Sequence, residues 1–252
     1  MKKKSQYSDT AANTLMGQHF LTSQKITEDM VTASFVTKKD VIVEVGPGKG
    51  ILTHELAKHA KKVIAIEKDP RFIQPLKEMF KENKNIEIIE GDILDTHITK
   101  KLPKKYKLVA NIPYYLTSRL LRIFLESAQK PQSITVMIQR EVAERILAHP
   151  PQMNLLALSV LAYGTPRIVQ KVSRSHFKPQ PDVDSAIITI TNISDSFFKK
   201  NTISEKIFFE ITKKAFSKKR KMLRNSISVD SQKRPQELSL NDWINIIIEF
   251  IR

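Results

Sequence analysis

The sequence predicts an α/β fold in which a mostly parallel sheet, covered on both faces by helices, precedes a small all-helical domain. Three observations carry that expectation. Short apolar runs alternate with helical patterns between Val41 and Ile190, the signature of strand–helix–strand units. A glycine-rich loop, Gly46-Pro-Gly-Lys-Gly50, joins the first apolar run to the first helix that follows it. Beyond Ile203 only helical periodicity remains.

In chain order, residues 1–23 read as an irregular basic arm, followed by helical periodicity from Gln24 to Phe35. Val41–Val45 is a buried strand and Ile51–Ala60 a helix; Val63–Ile66 is the next strand. Pro70–Lys81 is a helix whose first position is proline, where the missing N–H costs nothing. Ile86–Ile89 and Leu108–Ala110 are strands, Ser118–Ala128 a helix, and Ile134–Ile138 a fifth strand. Glu141–Leu147 and Leu155–Tyr163 are helices, and Ser185–Ile190 closes the series as a strand. The polar stretch Asn192–Thr202 reads as a linker. The domains expected are therefore the arm at 1–23, a sheet domain at 24–191 and a helical domain at 203–252.

Composition limits the function classes. At 252 residues and 41% hydrophobic the chain can bury a sizeable core, and with no cysteine it has neither disulfides nor thiolate metal sites. Met1-Lys-Lys-Lys4 is not followed by the apolar core of a secretion signal, and Ile244–Phe250 is too short to span a bilayer. A cytoplasmic protein without a membrane partner is expected. The formal net charge of +16 points to a polyanionic partner, most simply nucleic acid, against the plainer reading of a lysine-rich solvated surface. The basic run Lys218, Lys219, Arg220, Lys221 with Arg224 is read as a helix face making phosphate contacts. The six histidines show no metal-ligand spacing and no Gly-x-Ser-x-Gly elbow exists, so no metal site and no acyl transfer are expected.

The glycine loop narrows the cofactor. A P-loop needs Ser or Thr after Gly-Lys, and Gly50 stands there instead. A dinucleotide fingerprint wants its third glycine one place later, which weakens NAD without excluding it. The spacing Gly46-x-Gly48-x-Gly50 behind Glu44 suits S-adenosylmethionine, which has no phosphate to cradle. Glu67, at the tip of the next strand, can accept ribose hydroxyls, and Asp92, just past the third, can take an adenine amine. Asn111-Ile112-Pro113-Tyr114 leaves a fourth strand tip with an amide, a rigid turn and an aromatic face, the groups needed to hold a flat base. A second aromatic–proline segment, Phe177-Lys-Pro-Gln-Pro181, follows.

These segments, together with Gly17-Gln-His-Phe-Leu21, Gln139–Arg145 and Ala215–Asn225, resemble the KsgA/RsmA family of rRNA adenine N6-dimethyltransferases over residues 15–226. The resemblance implies a Rossmann-like S-adenosylmethionine-dependent domain with a small helical C-terminal domain. It implies methyl transfer to adenine N6 in a 3′-terminal hairpin of small-subunit rRNA, on immature small ribosomal subunits, by a monomer. It also implies that His19, Leu21, Gly46, Glu67, Asp92 and Asn111 line the cofactor site. Two features depart from the family pattern: Gln152–Leu156 replaces a Tyr-Gly pair, and the chain after Asn225 is short.

Adenine N6 is a weak nucleophile because its lone pair is delocalised into the ring. Acceptance of its two N–H bonds by the Asn111 side chain and a carbonyl of Asn111–Pro113 lets the nitrogen pyramidalise, while Tyr114 and Phe177 stack on the base. Two other readings remain. An Erm-type 23S rRNA methyltransferase shares the Asn-Ile-Pro-Tyr and Phe-x-Pro-x-Pro patterns, and a non-catalytic nucleic-acid-binding relative would share the fold.

Overall fold

The computed structural model describes residues 19–218, 220–227, 229 and 231–251. Most of the expected basic arm, residues 1–18, and Lys219 of the basic run lie outside them. The chain divides into two units. One runs to Ala143 and resumes over Arg167–Thr191; the other takes Glu144–Pro166 and everything from Asn192 onward.

The first unit is built on a seven-stranded sheet. Its elements begin with β1 (Phe20–Leu21), α1 (Gln24–Ala33), β2 (Val41–Val45), α2 (Ile51–His59), β3 (Lys62–Glu67), α3 (Pro70–Met79) and β4 (Ile86–Glu90). There follow α4 (Thr96–Thr99), β5 (Lys107–Asn111), α5 (Thr117–Glu126), β6 (Ile134–Gln139) and α6 (Arg140–Ile146), then, past α7 (Leu155–Leu161), β7 (Thr165–Val172), β8 (Phe177–Lys178) and β9 (Ser185–Thr191). The strand order is β4-β3-β2-β5-β6-β9-β7, and β1 pairs with β8 in a separate ribbon. β2 to β6 run parallel; β9 is antiparallel to β6. This is a Rossmann-like α/β architecture with one antiparallel strand inserted next to β6.

Local chemistry explains the elements. The central strands are apolar on both faces, as a sheet covered on both sides requires; Ile42, Val43, Val63, Leu108, Val109, Ile134 and Val136 are fully buried. Each such side chain contributes roughly 1.5–3 kcal/mol of transfer free energy. The helices lay one stripe on the sheet: α5 buries Leu120, Leu121, Phe124 and Leu125, the spacing of an amphipathic helix. Helix starts are marked by side chains that accept otherwise unpaired N–H groups. Ser23 Oγ accepts from Ile26 N at 3.4 Å, Asp69 Oδ1 from Arg71 N at 3.1 Å, and Asn154 Oδ1 from Ala157 N at 3.1 Å.

The second unit holds α7, α8 (Ser196–Asn201), α9 (Glu205–Ser217) and α10 (Leu240–Ile251). Its core is a set of rings in edge and stacked contact: Tyr163, Phe197, Phe198, Phe208 and Phe209. Fully buried Trp243 packs against Phe216 at 5.8 Å between ring centroids. Residues 144–166, on the sheet side of the boundary drawn from the sequence, are tied into this unit. Met153 N–H donates to Gln236 O (3.0 Å) and the Tyr163 hydroxyl to Glu205 (2.9 Å).

Four local expectations need correction. β7 goes unassigned in the sequence because Thr165-Pro-Arg-Ile-Val-Gln-Lys-Val172 has a proline and mixes polar and apolar residues on both faces, only Val172 being buried; at the sheet edge it needs neither a full ladder nor two apolar faces. The stretch read as a linker contains α8, which Phe198 anchors in the aromatic core. The two-residue strands β1 and β8 are too short to leave a periodic signal. The basic run is not a helix face: α9 ends at Ser217, and Lys218, Arg220 and Lys221 occupy the turn after it, where cations suit the negative end of the helix dipole.

Gly46 and Gly50 both require positive φ, +66° and +78°. They differ in surroundings. A Cβ on Gly50 would lie 2.9 Å from the Phe80 ring and 3.0 Å from Leu76, whereas one on Gly46 would meet nothing within 4 Å. Gly46→Ala is therefore expected to lose only the left-handed backbone term, about 1 kcal/mol, and Gly50→Ala about 2–3 kcal/mol. Urea denaturation of the two variants measures the difference; equal losses would mean that the Phe80 contact relaxes freely.

Candidate active site

The register of the parallel strands assembles the site. Val45 pairs with Ile66, Glu44 with Val109, Glu67 with Glu90, and Asn111 with Met137. One residue beyond Val45 and two beyond Glu44, the same offsets put Gly46, Glu67 and Asn111 on one row at the carboxyl ends of β2, β3 and β5. β2 is also where the chain reverses its direction across the sheet, the switch point at which open α/β sheets bind ligands.

Glu67 holds this row together. Its Oε2 accepts the Gly48 N–H (3.0 Å) and its Oε1 the Asp69 N–H (2.8 Å), while the Gly46 N–H donates to Ile66 O (2.9 Å). The glycine loop is thus fastened to the end of β3. A carboxylate has about four lone-pair positions, so two bonds orient Glu67 and leave the others for a diol. Burial pushes its pKa up, and the backbone donors oppose that shift.

Around this row lies a cleft enclosing about 820 Å³, open solvent included. His19, Leu21, Gly46, Glu67, Asn111, Ile112, Pro113, Tyr114 and Phe177 all line it. Nine residues singled out in the sequence thus meet in one place. Asn111 makes no side-chain hydrogen bond to a described residue, which leaves its amide available. Tyr114 starts a single 3-10 turn, and its hydroxyl is 2.9 Å from Ser185 Oγ. His19 stacks on Tyr114 at 5.9 Å between centroids and its Nδ1 lies 2.9 Å from Pro179 O. Phe177 is only 5% exposed, packed with Leu21, Val172 and Ile187, so it offers the cleft a small part of its ring.

Asp92 does not join the lining. It lies two residues past Glu90, the partner of Glu67 in the row, and pairs with Lys68 at 2.9 Å. Burial would raise its pKa, but the Lys68 ammonium and the Leu94 N–H hold the carboxyl below its ordinary value. In the second unit, Lys218, Arg220, Lys221 and Arg224 are all exposed.

Several lining residues escaped the sequence reading. Phe20 carries Lys49 over its ring at 5.0 Å and meets Phe72 edge-on at 5.6 Å. Nothing in the local pattern separates these rings from core residues. Glu44 had a signal, its place ahead of the glycines, and the structure gives it weight. It is 1% exposed, lines the cleft, and its Oε2 has no hydrogen-bond partner among the described residues. Burial pushes its pKa up to about 8 against the pull of the Thr53 hydroxyl, and the Glu67 carboxylate adds a smaller push upward. An orphaned buried acid beside open space over Gly46 fits a ligand that brings an ammonium group and a backbone-sized tail, as S-adenosylmethionine does.

Comparison with known proteins identifies the lineage. Residues 10–246 match the family described as ribosomal RNA adenine dimethylase. The chain belongs to that family. It is 39% identical over 255 residues to ribosomal RNA small subunit methyltransferase A of Dehalococcoides mccartyi, covering 93% of this chain and 87% of the relative. Among solved structures, a dimethyladenosine transferase from Plasmodium falciparum superposes with a TM-score of 0.81 at 27% identity, covering 92% of this chain and 98% of the other. The 23S rRNA methyltransferase ErmE shares the fold, with a TM-score of 0.75 at 23% identity and coverage of 92% and 100%. Within the adenine dimethylase family, then, the asparagine-to-tyrosine turn and the glycine loop of this chain occupy one cleft.

The buried acid makes stability depend on pH. The folded, ligand-free protein holds the Glu44 proton up to about pH 8, whereas the ordinary value is 4.5. Across that window the folded state binds more protons than the unfolded chain, so this group's contribution is fully present below pH 4.5 and is lost as pH rises to 8. Glu44→Gln keeps the shape without the charge. Its melting temperature should gain on the parent between pH 5 and 8 and level off above, as followed by calorimetry. A constant difference across that range would show that Glu44 does not titrate in the window.

Proposed function

We infer that this protein is an S-adenosylmethionine-dependent rRNA adenine N6,N6-dimethyltransferase acting on the small ribosomal subunit. The observation that carries the reading is the row of Gly46, Glu67 and Asn111, which sets a cofactor loop and a base-recognition turn in one cleft. Family membership and the small-subunit name of the Dehalococcoides relative support it.

Bound S-adenosylmethionine supplies an electrophilic sulfonium methyl group. Glu67, oriented by two backbone donors, accepts the ribose hydroxyls. The open space at Gly46 and the unpaired Glu44 oxygen receive the amino-acid tail, with His19 and Leu21 closing the site. Asp92 takes the adenine amine of the cofactor once its bond to Lys68 is shared.

The target adenine must be unpaired or flipped to enter, at a cost of a few kcal/mol that stacking offsets. Tyr114 presents one ring face to it and Phe177 the exposed part of its ring. The Asn111 side-chain oxygen and a carbonyl in Asn111–Pro113 accept the two N6 hydrogens, which localises the nitrogen lone pair for in-line attack. Positioning and fixed dipoles do this without a strong base, and the methylated ammonium sheds its proton afterwards. Lys218, Lys219, Arg220, Lys221 and Arg224 supply phosphate contacts in the second unit.

Glu67→Ala should weaken S-adenosylmethionine binding by about 1.5–3 kcal/mol, the loss of hydrogen bonds to a charged group. Titration calorimetry on the folded variant reads this directly, and unchanged affinity would remove Glu67 from the site. Asn111→Ala should lose methyl transfer while RNA affinity stays near that of the parent, because phosphate contacts dominate affinity. Labelled-methyl transfer to small subunits lacking the modification, with mapping of the product base, tests the whole reading. Efficient transfer to protein-free large-subunit RNA, with none to small subunits, would favour the Erm-type alternative.

A further inference from the structure

Beside the cleft, the structure leaves an aromatic ring in solvent. Tyr115 follows Tyr114 in the same single turn and is 64% exposed. A single exposed ring is ordinary on a protein surface, but one placed next to the turn that lines the cleft offers a planar ligand a stacking face. Its surroundings are cationic. Arg119 lies four residues further on, in the first turn of α5, and Lys68 lies one residue beyond Glu67 at the carboxyl end of β3, 2.9 Å from Asp92, a carboxylate on which the Arg119 charge also acts. Both cations are exposed, and Asp92 is the carboxylate paired with this group. Two cations against one carboxylate leave a net positive charge beside an open ring.

This combination of a stacking surface and positive charge is what single-stranded nucleic acid recognises. A base drawn into the cleft brings its chain neighbours to the rim, one phosphodiester away. We propose that Tyr115 is a positioning residue for RNA: the nucleotide adjoining the target adenine stacks on its exposed ring, and Arg119 and Lys68 meet the phosphates there. The inference rests on the adenine methyltransferase reading and adds a second base contact outside the pocket. It also gives the first unit an RNA contact of its own, independent of the basic turn in the second.

The test uses the whole protein and immature small ribosomal subunits. Tyr115→Ala should raise KM for the particle roughly 5- to 150-fold, the range of one lost base stack, with the cofactor Kd unchanged. Tyr115→Phe, which keeps the ring, should restore the parental KM. Arg119→Ala should flatten the salt dependence of particle binding by about one log–log unit. A parental KM in Tyr115→Ala overturns the proposal, as does a cofactor Kd that weakens together with it, since that would mark a structural role. If the parent neither binds nor methylates small subunits, the functional reading fails and this inference with it. Failure confined to the Tyr115 variants leaves that reading standing.

Discussion

Everything in the site depends on the pairing register of the parallel strands at their carboxyl ends. A parallel ladder holds neighbouring residues at one level, so a single row determines what can converge. Here the row contains a glycine that opens into a loop, a carboxylate and a carboxamide. A shift of one residue in either β3 or β5 would turn Glu67 or Asn111 to the opposite face. The Glu67 bonds to Gly48 and Asp69 then convert that level into a rigid loop position. One side chain thereby sets the loop and the start of α3.

A second constraint closes the cleft from the other side. The β1–β8 ribbon pairs Phe20 with Lys178 and Leu21 with Phe177, and Thr22 N–H and Oγ both donate to His176 O. Segments some 155 residues apart in sequence are joined by a few backbone bonds. Such long-range closure is costly in chain entropy, and the apolar packing of Leu21 and Phe177 with Val172 and Ile187 offsets it. The stack of His19 on Tyr114 extends the ribbon to the asparagine turn.

The site is also where the protein tolerates unfavourable chemistry. Glu44 is buried with its Oε2 unpartnered among the described residues, and its proton is retained to about pH 8. Unsatisfied buried polar groups are rare because each costs about 1–3 kcal/mol. Their presence at a ligand cleft follows a general pattern, in which groups arranged for a partner are strained without it.

The sequence by itself determined the strand–helix alternation, the chemistry of the glycine loop and the identity of the asparagine turn. Each is a local property: strand runs are apolar throughout, helices repeat every 3.6 residues, and glycine and proline mark turns. Glu67 and Asn111 were legible for the same reason, standing at the tips of readable strands. What only the tertiary structure decided were the features without a local signature. β7 had no apolar face to announce it, and β1 and β8 were too short to show a period. The pull of Lys68 on Asp92, the burial of Phe177 and the lone oxygen of Glu44 depend on neighbours distant in the chain. Hydrogen bonding and desolvation are set by the atoms that surround a group after folding, and no window of sequence contains them.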